Sequence, residues 1–286
     1  MKLSNVLMRV VAVFVAVSVV QIVAGALAGL LIPMKTPFPP DAMQHAMFWM
    51  ILTNAVTVAA LSALAVRSEW RGWKLGIAVA AIPLAIFSIN GLEGIIFLKN
   101  SHIEWPGIFL STLTAAALST PVWMWFFGRR EDVAQEHFHP FESQSVGQRV
   151  WKFVACDFSY IALYLLAGSI IFPYIKDFYA TQTIPPMSTL LALQLLVRGP
   201  AFILVCLLIT RMLGLPRLSG ALAVGAVFTL LSGVAPLLMP NPYFPNAVRW
   251  MHFMEVTSSN FVFGAIVAWM WGQRRPLRAQ VLAHAA

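Results

Sequence analysis

The sequence predicts an all-α protein, a polytopic membrane helical bundle with eight transmembrane helices. Three observations carry that prediction. Only 10% of the 286 residues are charged and 59% are hydrophobic, with a mean hydropathy of +0.78, whereas a soluble domain holds about 25% charged residues. The apolar residues fall in eight runs of about 20 or more, enough to cross a hydrocarbon layer of about 30 Å. Short polar breaks separate the runs; a transmembrane barrel would show alternating segments of about ten residues instead.

The runs occupy about 6–32, 42–66, 74–98, 107–128, 150–175, 184–212, 218–239 and 247–272. The first follows Lys2 and Arg9 and stays apolar from Val10 to Pro33. That exceeds the roughly 7–15 residues of a signal-peptide core, so it reads as an uncleaved first helix. The second stops at Arg67 and the third starts at Lys74. The fourth closes on Trp123-Met124-Trp125 and Arg129-Arg130. The polar stretch that follows, with Glu136, His137 and His139, reads as a solvated linker. Arg149 and Lys152 open the fifth run, and Arg211 and Arg217 flank the break between the sixth and seventh. The eighth closes on Trp269-Met270-Trp271 and Arg274-Arg275. Proline-rich breaks at 33–41, 183–187 and 236–245 stiffen the loops and favour helix starts.

Basic residues set the orientation. Lys2, Arg9, Arg67, Arg71, Lys74, Arg129, Arg130, Arg149, Lys152, Arg211, Arg217, Arg274, Arg275 and Arg278 flank one side, and Lys35, Lys99, Lys176 and Arg249 the other. The positive-inside rule then puts both termini in the cytoplasm, which in a bacterium means the inner membrane. Trp70, Trp73, Trp125, Trp151, Trp269 and Trp271 gather at the same ends as an interfacial belt. The net charge of +8 therefore faces lipid headgroups, and the lipid bilayer, not nucleic acid, is the expected partner. Cys156 and Cys206 lie inside apolar runs and read as small packing residues.

The two halves resemble each other. Ala28-Gly29 with Pro33 and Lys35 matches Ala167-Gly168 with Pro173 and Lys176, and the two Trp-Met-Trp closures match at a second offset. The expectation is a 4+4 duplication: residues 1–130, a linker at 131–149, residues 150–275 and a cytoplasmic tail at 276–286. Because four is even, the halves run parallel, about a pseudo-twofold axis along the membrane normal.

Ionisable groups inside a bilayer cost free energy and mark functional sites. Arg249, His252 and Glu255 recur at three-residue spacing in the eighth run, followed by Ser259 and Asn260. They share one helix face and descend from roughly 5 Å to about 21 Å below its start. Glu93, near the outer end of the third run, is at a depth to pair with Arg249 or His252. Arg198 sits in mid-span before Gly199-Pro200, with Asp157 expected as its partner in a buried structural ion pair. Arg198 also offers a substrate-anion site. The first half has no counterpart to the charged face, which places a specialised site in the second.

No zinc signature, nucleophile elbow, phosphate loop or dinucleotide fingerprint occurs. His252 and Glu255 alone fall short of the three protein ligands of a catalytic zinc, so neither metal nor cofactor is expected. Three functions remain. A small transporter or permease ranks first, with substrate, ion or proton handled by Arg249, His252, Glu255, Asn260, Glu93 and Arg198. A non-catalytic accessory or assembly protein is the alternative. A membrane-embedded enzyme acting on a lipid-linked substrate at the outer leaflet ranks third. The ligand is a small molecule or a lipid.

Overall fold

A computed structural model describes residues 3–32, 40–97, 105–128, 144–182, 184–239 and 244–272. Most of the expected linker, 131–143, and the tail at 276–286 lie outside the described residues. The described chain is helical, without a strand, and eight of its helices are long and apolar enough to cross a membrane. They are α1 (Leu3–Leu31), α2 (Pro40–Arg67), α3 (Gly72–Phe97), α4 (Trp105–Phe127), α5 (Val146–Ala180), α6 (Met187–Leu213), α7 (Arg217–Leu238) and α8 (Asn246–Trp271). This is the architecture of a multi-pass integral membrane protein.

Local chemistry explains the ends. Ser145 caps α5 in a reciprocal box with Gln148: its hydroxyl accepts from the Gln148 amide, and the Gln148 side chain accepts from the Ser145 amide. Proline precedes α6, α7 and α8, at Pro186, Pro216 and Pro245, where its fixed φ suits the entry to a helix. Gly214 ends α6 in the left-handed region at φ 56°.

The outward faces are apolar. Ile22 is 73% exposed and Leu30 81%. A water-soluble monomer rarely carries such continuous apolar surface, so the surrounding solvent is hydrocarbon. Inside, α4 packs along α3 and α1, and α8 packs along α7 and α5. Small residues permit the close approaches, as expected where van der Waals packing drives helix association. A Cβ on Gly76 of α3 would meet the Thr120 carbonyl of α4 at 2.6 Å, and one on Gly225 of α7 would meet the Phe261 carbonyl of α8 at 2.7 Å. The halves meet through their middle helices: α2 against α7, α3 against α6, with α2 also touching α6 and α3 touching α7.

Two helices depart from α geometry. α6 carries a π turn at Gln194–Arg198 and α7 another at Leu230–Val234. Each is followed by a small residue and proline, Gly199-Pro200 and Ala235-Pro236. Proline lacks the N–H that continues the α ladder, and its ring crowds the carbonyl four residues back. Proline alone does not suffice, because Pro83, Pro121 and Pro173 sit within α-helix. The two π turns also carry buried polar side chains, Gln194, Arg198 and Ser232, and π turns recur at functional sites.

The close approach at Gly225 makes a test. Gly225→Val should cost about 1–3 kcal/mol through overpacking against α8. Gly29→Val, where nothing lies within 4 Å of the added carbon, should change stability by less than about 0.5 kcal/mol. Thermal unfolding in detergent compares the two, and equal losses would contradict the packing described.

Candidate functional site

Two polar clusters face one cavity. The first joins α3 to α6 across the halves. The Arg198 guanidinium donates through Nη1 to Glu93 Oε1 in an ion pair, and Gln194 Nε2 donates to the same oxygen at 3.3 Å. Arg198 Nη2 donates to Asn90 Oδ1 at 3.4 Å, and the guanidinium lies 5.1 Å from the centre of the Phe202 ring. Asn90 Nδ2 in turn donates to the Ser232 carbonyl of the α7 π turn at 3.5 Å. Asn260 Nδ2 donates to Ser232 Oγ at 2.8 Å, tying α8 to the same turn.

The second cluster is a hydrogen-bonded chain from α5 to α8. The Tyr179 hydroxyl is 2.8 Å from His252 Nε2, and His252 Nδ1 is 2.8 Å from Glu255 Oε2. With a neutral imidazole, Nδ1–H donates to the carboxylate and Nε2 accepts from the tyrosine. Tyr179 and Phe244 hold the imidazole by ring contacts at 5.8 and 5.1 Å. The other Glu255 oxygen, Oε1, faces the backbone of Gly168 in α5, and a carboxylate fits there because no side chain fills the space.

Between the clusters lies a cavity of about 290 Å³. Asn90 and Glu93, Arg198, Ser232, and His252, Glu255, Ser259 and Asn260 supply its polar wall. Tyr160, Tyr164, Tyr179 and Phe244 supply its aromatic wall. Behind this wall Tyr160 packs on a ring set: it meets Phe202 and Phe263 at 5.8 and 5.0 Å, and Phe228 meets Phe202 at 5.1 Å. Glu93, Tyr179, Leu237 and Phe244 all lie near the helix ends that lead into or out of the connections after α3, α5 and α7. The cavity therefore sits in that end of the bundle, opposite the basic flanks.

Five of the expected residues, Glu93, Arg198, His252, Glu255 and Asn260, come together on this cavity. Arg249 does not join them. Its Nη1 donates to the carbonyls of Leu237 and Leu238 at 2.8 Å each, and Nη2 donates to Asn246 Oδ1 at 3.2 Å. It caps the end of α7, a cation on the negative end of a helix dipole.

The expected Asp157–Arg198 pair is corrected by the geometry. Asp157 Oδ1 packs on Gly199, where an added Cβ would lie 2.0 Å from it, and it has no hydrogen-bond partner. Successive helix residues are about 100° apart, so the residue facing α5 is Gly199, while Arg198 turns toward α3. Glu93, expected against Arg249 or His252, takes Arg198 instead. Among the described residues no three His, Cys, Asp or Glu side chains group as metal ligands.

Sequence reasoning missed Tyr164, Tyr179 and Gln194. Tyr160 and Tyr164 stand four apart and share a helix face, a spacing that could have flagged them. Gln194 is likewise four residues before Arg198.

No protein-family model matches this chain, and the searches of curated proteins and of solved structures gave no significant match.

The Asp157 correction is testable by substitution. Asp157→Asn, which keeps shape and removes charge, should change stability by less than about 1 kcal/mol, since no ion pair is broken. A loss of about 3–5 kcal/mol in thermal unfolding, the size expected for a broken buried pair, would restore Asp157 as the partner of Arg198.

Proposed function

We propose that this chain is a small membrane transporter or permease, built as a 4+4 duplication, with its substrate site lined mainly by the second half and closed by α3 of the first. The observation that carries the reading is the cavity of about 290 Å³, with both hydrogen-bonded clusters on its wall. Bilayer-embedded ionisable groups that face a shared cavity are characteristic of substrate and ion pathways. With both termini in the cytoplasm, the cavity belongs to the outer half of the membrane.

The duplication reading draws support from a second, smaller cavity of about 60 Å³ in the first half. Val17, Val20 and Gln21 of α1 line it, each 143 residues before Tyr160, Leu163 and Tyr164. Thr112, Ala115 and Ala116 of α4 line it too, each 144 residues before Val256, Ser259 and Asn260. In the same register Gly25 faces Ser111 as Gly168 faces Glu255. Gly128 and Gly272 donate their amides to the carbonyls four residues back, at the closes of α4 and α8. This register of 143 to 144 lies between the offsets of the short sequence matches, 140 for Pro33 and Pro173 and 146 for Trp123 and Trp269.

The helix contacts repeat as well. A half-turn about the axis exchanges the α2–α7 contact with the α6–α3 contact. Such duplications place transport sites at the repeat interface. Among the described residues the second half alone carries π turns, a tyrosine face and the His252–Glu255 couple, so the two cavities differ in chemistry.

Ser259 lines the cavity about 20 Å below the start of α8 and provides the test. With Cys156 and Cys206 replaced and a single cysteine at Ser259, a membrane-impermeant thiol reagent added outside intact cells should label it rapidly. Silence at Ser259, with a control cysteine in the 240–245 segment reacting normally, would make the polar face a packed structural network. The accessory reading would then stand in place of transport.

A further inference from the structure

We infer that the cavity takes a small organic cation, an ammonium group held by Glu255 and the surrounding aromatic rings. This rests on the permease reading of the same cavity and names its substrate class.

Charge is the first argument. Among the described residues, two carboxylates, Glu93 and Glu255, and one guanidinium, Arg198, face the space. Arg198 is committed to Glu93, so its charge is already answered. Glu255 pairs with the His252 imidazole, and among the described lining residues no guanidinium or ammonium is committed to it. Glu255 Oε2 pairs with the imidazole, while no donor to Oε1 is seen among the described residues. A carboxylate held inside a bilayer without a cation is costly, so an occupant carrying one positive charge is favoured and an anion is not.

The walls are the second argument. Tyr160, Tyr164, Tyr179 and Phe244 line the cavity beside Glu255. Aromatic faces attract cations through the ring quadrupole, most strongly where water is excluded, and this is how quaternary ammonium groups are recognised. Arg198 is held by Glu93, Asn90 and the Phe202 face, leaving it poorly placed to receive an anion. A volume of about 290 Å³ lies at the small end of ligand pockets and suits a compact head with a short tail.

The test uses the full chain in lipid nanodiscs and three probes of similar size: tetramethylammonium, the neutral tert-butanol and acetate. Calorimetric titration should show tetramethylammonium binding at least about tenfold more tightly than tert-butanol, with acetate weakest. Glu255→Gln should abolish the preference for the ammonium. Because that variant removes a buried hydrogen-bonded carboxylate, Tyr164→Leu serves beside it: it removes a ring and no charge, and should weaken the ammonium about three- to tenfold with the alcohol unchanged. Equal binding of all three probes, preference for acetate, or no ammonium binding would overturn the inference. If the cysteine at Ser259 labels in these circumstances, the permease reading survives and only the substrate class is wrong.

Discussion

The ion pair between Arg198 and Glu93 is the constraint on which the rest of the site depends. An arginine in the middle of an apolar helix must find an anion, because the bilayer offers none. Its partner lies on α3, in the other half of the chain. The pair therefore fixes how α3 and α6 face each other, and with them the seam between the halves. It also draws in Gln194 and Asn90, and through Asn90 the π turn of α7. The neighbouring space stays open because the polar groups crossing it are held at its wall.

The same pair explains why the cavity is chemically one-sided. Once Glu93 answers Arg198, the remaining groups are an acid, an imidazole and a tyrosine hydroxyl in series on α8 and α5. A buried pair of this kind is weak evidence of stability, because desolvation offsets much of its attraction. It is better evidence of specificity, since it selects one register of α3 on α6. The first-half cavity is smaller, about 60 Å³, and its described polar lining is Gln21, Thr57, Thr112 and Ser119, with no charged group among them.

Much of the helix frame was legible in the sequence, because the length and spacing of apolar runs are direct consequences of bilayer thickness. All eight expected runs fall on observed helices, the chief difference being that α5 extends to Ala180 beyond the expected 175. His252 and Glu255 were legible for the same kind of reason, since three-residue spacing puts them on one face. Partners were not. The expected Asp157–Arg198 pair rested on chain proximity, and one residue of helix rotation gave α5 Gly199 instead. Arg249 fits the helix-face pattern yet turns to the carbonyls of α7, which no single-helix projection contains. The π turns were also out of reach, because Pro83, Pro121 and Pro173 sit within unbroken α-helix while Pro200 and Pro236 follow a broken ladder.

The central claim, that α3 and α6 are locked across the halves by one charge pair, is tested most directly by a double-mutant cycle. Glu93→Gln, Arg198→Met and the double variant are compared with the unaltered chain by reversible unfolding in lipid nanodiscs. The account predicts a coupling of at least about 2 kcal/mol, with the double variant losing far less than the two single losses combined. Additivity within about 0.5 kcal/mol would mean that the two charges are independent, and the seam between the halves would need another explanation.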